Sequence, residues 1–152
     1  MDKYGQYGVY IWDTYLNSND LLRIIYPLKY YDVPIRAITS KKIKEIYDSG
    51  DEQLTIDDVI NINKKIISES DLTGLNLEFR IELGKPSFHD RFLIFPRNPN
   101  ISKNCIVYSL GSSINGFRKS SHILQKVLIP NDILNSFNEL WDNLDEDKNK
   151  IW

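Results

Sequence analysis

Two short apolar runs, each followed by a segment of helical spacing, constrain this chain more than any other feature. Tyr7–Asp13 is β-branched and aromatic around Gly-Val-Tyr-Ile-Trp and reads as a strand. Asn17–Asp20 then offers helix N-caps, and Leu21, Leu22, Ile25 and Leu28 recur at helical spacing until Pro27 shortens or kinks the helix. Val33–Thr39 repeats the strand pattern. Lys41–Asp48 follows as a short helix with Ile43, Ile46 and Tyr47 on one face, closed by Ser49-Gly50. Thr55–Asp58 resembles a capping box, and Ile56, Val59, Ile60, Asn63 and Ile67 extend a second helical face. Successive βα units imply a mainly parallel sheet covered by helices.

The second half changes period. Leu75–Leu83 alternates apolar and polar residues strictly, which predicts a half-buried strand. Phe88–Phe95 and Cys105–Leu110 are two more strands, joined by the polar loop 96–104, and Ser121–Ile129 is expected as the last. Pro130-Asn131 opens a helix with Ile133, Leu134, Phe137, Leu140, Trp141 and Leu144 on one face. Asp145–Lys150 reads as a solvated tail. The expected order is βαβααββββα, in an α/β fold whose mixed, largely parallel sheet is flanked by helices.

The chain has 152 residues, the size of one domain, spanning 1–152, or a domain excised from a longer protein. Cys105 is the only cysteine, so an internal disulfide and a multi-cysteine metal site are both excluded. A buried, inert thiol and a reducing, cytoplasmic setting follow as expectations. No run is long and apolar enough for a membrane span, and the N-terminus lacks a signal-peptide pattern. The net charge of −2 provides no global field to draw in phosphates, so any nucleic-acid reading must rest on a local site.

Two stretches supply that site: Ser87-Phe-His89-Asp-Arg91-Phe-Leu-Ile-Phe95, and Val107-Tyr-Ser-Leu-Gly111-Ser-Ser-Ile-Asn115. On a strand, His89 and Arg91 share one face and Asp90 takes the other. Gly111 permits a tight turn, and the hydroxyls of Ser112 and Ser113 with exposed N–H groups suit an oxyanion. Asn115 adds an uncharged donor. Histidine can serve as nucleophile or acid near neutral pH, and arginine grips phosphate oxygens bidentately. These are parts for attack on a phosphodiester that calls for no metal and no cofactor.

Each residue also has a plainer reading. His89 alone would be a strand histidine paired with Asp90 or Glu82, and Gly111–Asn115 an ordinary turn. Arg118 and Lys119 either steer a polyanion or form a solvated basic turn, and His122 suits a strand start better than a catalytic role. Asp13 and Tyr15 sit where open α/β sheets place ligands, although Asp13 equally suits a helix cap. Arg36 is expected to neutralise a carboxylate or to line the cleft.

His89-Asp90-Arg91 and Gly111-Ser112-Ser113-Ile114-Asn115 resemble the HxK…GSxxN signature of the phospholipase D-like superfamily. Trp12–Tyr15 and Val33–Ser40 are similar to early segments of its degenerate bacterial members. The likeness runs through the whole chain in order and is sharp only over His89–Asn115. It implies a half-domain that pairs with a second copy, so that two histidines share one site. One histidine is phosphorylated while the other protonates the leaving oxygen. It further implies a homodimeric phosphodiesterase acting on nucleic acid rather than on a membrane, with His89, Arg91 and Asn115 catalytic, Gly111, Ser112 and Ser113 on the phosphate, and Asp13, Tyr15, Arg118, Lys119 and His122 along the cleft. Degenerate members are often modules of bacterial defence proteins, so a binding or sensor domain is the alternative. Arg91 replaces the family lysine, and Pro96 stands where the family has an aspartate.

Overall fold

A computed structural model describes residues 4–29, 32–48, 53–86, 88–98, 104–111 and 124–152. Their elements follow one another as β1 (Val9–Trp12), α1 (Ser18–Ile25), β2 (Pro34–Ser40), α2 (Lys44–Tyr47), α3 (Ile56–Ser68), β3 (Asn76–Glu82), β4 (Phe92–Phe95), β5 (Ile106–Leu110), β6 (Leu124–Lys126) and α4 (Pro130–Asn143). Local chemistry sets several boundaries. Asn17 caps α1 by accepting from the Asp20 N–H, and α1 stops at Ile25, short of Pro27. Thr55 and Asp58 close the reciprocal capping box of α3. Pro130 occupies the first turn of α4, where its missing N–H costs nothing. Gly8, at φ +134°, turns the chain into β1, and a Cβ there would meet the Pro34 carbonyl at 3.0 Å.

The described strands form one mixed sheet in the order β3-β2-β1-β4-β5-β6. β1/β2 and β2/β3 are parallel; β1/β4, β4/β5 and β5/β6 are antiparallel. The expectation of a largely parallel sheet is therefore corrected. Parallel pairs need crossover connections, which α1 and the α2–α3 segment supply for β1/β2 and β2/β3, whereas β4 runs opposite to β1 and β5 and β6 alternate in direction from it.

Helices cover both faces. α1 and α3 pack on Val9, Ile11, Ile35, Ala37, Phe79 and Ile81. On the other face, Phe137 and Trp141 of α4 and the following Leu144 pack on Tyr10, Trp12, Ile38, Ile94 and Val107. The β3 strand expected to be half-buried is buried on both sides from Phe79 onward. Its polar side lies under α4, where Arg80 donates to the Trp141 carbonyl at 2.7 Å and pairs with Glu78 and Asp145. Arg36 lies on the same side, its guanidinium 5.3 Å from the Tyr10 ring and 5.1 Å from Trp141, so it stacks on aromatics.

The C-terminus is not a solvated tail. Asn149 is buried and donates to the Ile81 carbonyl, Ile151 is 2% exposed, and the backbone of Ile151 and Trp152 bonds to Phe79. This segment covers the outer edge of β3, which would otherwise present unpaired backbone groups. The last strand, expected over Ser121–Ile129, is exposed over Leu124–Lys126 and ends before Val127, while residues 121–123 lie outside the described residues. No helix among the described residues is long and apolar enough to cross a membrane.

Candidate phosphate site at the carboxyl edge of the sheet

The strand directions gather the chemistry at one end. β1, β2, β3 and β5 end at the edge where β4 begins. β3 and β4 stand three places apart, a span of roughly 14 Å at ordinary strand spacing. Residues 83–91 must therefore cross over the ends of β2 and β1, and this crossing carries His89 and Arg91. The chain goes to one side of β1 after the first strand and to the other side at β4. Such a switch point, at carboxyl strand ends, is where open α/β sheets bind ligands.

Directly after β1, Asp13 is fully buried. Its Oδ1 accepts from the Tyr15 N–H at 2.9 Å and lies 3.3 Å from the Nε of Arg91. This closes a local turn instead of capping α1, the task that Asn17 performs. The Arg91 side chain is 20% exposed, and its guanidinium carbon lies 5.5 Å from the centre of the Tyr15 ring. The Nε of Arg91 is within ion-pair distance of Asp13 but out of line for a hydrogen bond. A carboxylate without solvent and a guanidinium with partial access thus form one pair, cationic end outward.

Around this pair lies a buried polar layer that ties the ends of β1 and β2 to the helices. The Thr14 carbonyl accepts from the hydroxyls of Thr39 and Ser40, and the Asn63 side chain accepts from the Ser18 N–H at 2.7 Å. Asp20 accepts from Asn17 and Arg23. Burial pushes the Asp20 carboxyl up, Arg23 and the Asn17 hydrogen bond oppose the shift, and the nearby Asp13 charge adds to it. Burial likewise raises Cys105, whose thiol donates to the Pro130 carbonyl, far from this edge.

His89 and Asp90 are exposed, and His89 forms no hydrogen bond or ion pair among the described residues, so the pairing with Asp90 or Glu82 that the plainer reading offered is absent there. The strand proposed for Phe88–Phe95 begins only at Phe92, which corrects the premise that His89 and Arg91 sit on a regular strand. Period two nevertheless persists for the rings: Phe88 and Phe92 both pack on Trp12, at 4.9 and 5.9 Å, while Arg91 turns to Asp13. The ladder also joins the two motifs, since the Leu110 N–H donates to the Arg91 carbonyl at 2.8 Å. Gly111, exposed at the bend that follows, is thereby delivered beside Arg91. Ser112, Ser113, Asn115, Arg118, Lys119 and His122 lie outside the described residues.

The structure thus brings together Asp13, Tyr15, Arg91 and the backbone leading to Gly111. Sequence reasoning missed two features of this edge. One is the Asp13–Arg91 pair itself, which joins residues distant in sequence. The other is Lys42, whose ammonium lies 5.9 Å from the same Tyr15 ring. A signal for Lys42 was present in Ser40-Lys41-Lys42, two cations directly after a strand's carboxyl end. No family model matches this chain, nor does any curated protein or solved structure.

Proposed function

We propose that this edge binds a phosphodiester and that the protein is a metal-independent phosphodiesterase, a nuclease built on a phospholipase D-like half-domain. The observation that carries the reading is the juxtaposition of an exposed His89, without a partner among the described residues, with Arg91 held by a buried Asp13, on the segment that crosses the sheet edge. Arg91 holds non-bridging oxygens. An imidazole nitrogen of His89 attacks phosphorus, and the bond to the leaving oxygen breaks with a proton supplied by His89 of a second copy. Water then attacks the phosphohistidine, returning its proton to that second imidazole and freeing the first. Ser112, Ser113 and Asn115 supply further donors to the phosphoryl oxygens in this scheme.

The test is cleavage of DNA and RNA oligonucleotides in excess chelator. The reading expects turnover that His89→Ala abolishes. Absence of cleavage by the wild type, or equal cleavage by the variant, removes it. A second reading is a phosphate-binding module without turnover. Arg91 already engaged by Asp13, and Pro96 in the place of the family aspartate, favour it. Oligonucleotide binding without an acid-labile, hydroxylamine-sensitive phosphohistidine would select that second reading.

A further inference from the structure

Two cations lie near the Tyr15 ring, and among the described residues only one of them pairs with a carboxylate. The Arg91 guanidinium lies 5.5 Å from the ring centre and is paired with Asp13; the Lys42 ammonium lies 5.9 Å from the same centre. Lys42 is half-buried and forms no ion pair among the described residues. Its position is fixed from behind, since its backbone N–H donates to the Ser40 hydroxyl at 3.2 Å, at the start of the 3-10 turn Lys41–Ile43 that follows β2. Of the other described carboxylates near this edge, Asp90 is exposed on the crossing segment and forms no ion pair with Lys42. Asp20 is engaged by Arg23 and Asn17. Glu82, in register with Ser40, falls by strand alternation on the α4 side with Arg80 and Glu78, away from α1. Lys42 is thus a cation beside Tyr15 with no protein carboxylate against it among the described residues, open to pairing with an anionic ligand.

We infer that Lys42 and Arg91 form a two-point clamp for neighbouring phosphates of one nucleic-acid strand, which makes the substrate a polynucleotide rather than a small phosphodiester. The two charges lie no farther apart than the sum of their distances to the shared ring. One strand carries a phosphate about every 3.4 Å along a duplex axis, so cations at this separation meet close neighbours on a single backbone. Tyr15 sets the spacing by holding both cations against its ring. A mononucleotide or a small diester would engage Arg91 and leave Lys42 unmatched. The inference rests on the phosphate site proposed at Arg91 and not on the cleavage step.

The experiment measures binding of a single-stranded oligothymidylate, by fluorescence anisotropy in chelator, across a salt series. The proteins are the wild type, Lys42→Gln, and Lys64→Gln as a surface control on α3; thymidine 5′-monophosphate is the one-phosphate probe. The clamp expects the plot of log affinity against log salt to be shallower by about 0.7 in Lys42→Gln, the value of one single-strand phosphate contact. Lys64→Gln should match the wild type, and Lys42→Gln should bind the mononucleotide as the wild type does. An unchanged slope in Lys42→Gln overturns the clamp, as does an oligonucleotide that the wild type fails to bind. Equal loss of mononucleotide and oligonucleotide binding also overturns it, because Lys42 would then share the Arg91 phosphate. A lowered slope on an oligonucleotide that stays uncut leaves the clamp standing and removes only the nuclease step. Thermal melting of Lys42→Gln at the wild-type temperature verifies that the fold is intact.

Discussion

Asp13 and Arg91 determine both the cost and the use of this edge. A carboxylate with no solvent needs its cation, and breaking such a pair from one side leaves a buried charge uncompensated. Arg91→Ala should therefore cost about 3 kcal/mol of stability in urea unfolding, discounted from a fully buried pair because Arg91 keeps partial access to solvent. Asp13→Asn combined with Arg91→Gln should recover most of that loss; a double variant as unstable as the single one would refute the coupling. Asp20 makes a pH prediction. Its folded-state pKa is raised, chiefly by burial, so the folded protein holds that proton more tightly than the unfolded chain. The penalty applies above the folded value and fades as pH falls through it. Asp20→Asn should thus compare more favourably with the wild type near pH 7 than near pH 3, in paired unfolding curves. At this scale the sequence placed Asp13, Tyr15 and Arg91 among the candidates. It could not pair them, because that pairing depends on β4 lying beside β1, a neighbour relation between distant segments that no local pattern encodes.

Elements governed by local chemistry were legible, and those governed by neighbours were not. The Asn17 cap, the Thr55–Asp58 box and Pro130 at the start of α4 each satisfy backbone groups within a few residues, so sequence alone locates them. Asn17→Ala should destabilise the protein by about 1 kcal/mol in chemical denaturation. A neutral result would mean that the Ser18–Asn63 bonds hold the start of α1 unaided. The direction of β4 and the burial of the β3 polar side are different in kind. Arg80 and Glu78 alternate as solvent-facing residues do, and only α4 packing over them makes that side interior. His89 illustrates the same limit: period two suggested a strand, while the crossing from β3 to β4 leaves it in an irregular segment ahead of the ladder.

Across the whole molecule, the two sheet borders are treated differently. Residues 150–152 bond along β3 and bury Ile151, while Leu124–Lys126 of β6 are exposed at the other border. Removing Ile151 and Trp152 should uncover the β3 backbone and promote association through that edge. The apparent mass of the truncated chain by light scattering should rise with concentration where that of the full chain stays constant; equal apparent masses would show that the tail does not protect the edge. The same sheet gathers every described candidate group at its carboxyl end, which makes oxyanion binding there the central claim. Its most direct measurement is the anomalous density of tungstate soaked into crystals of the full chain. The account predicts an oxyanion within hydrogen-bond reach of Arg91 and next to the His89 ring. Tungstate bound only elsewhere, with Arg91 and His89 bare, would contradict it.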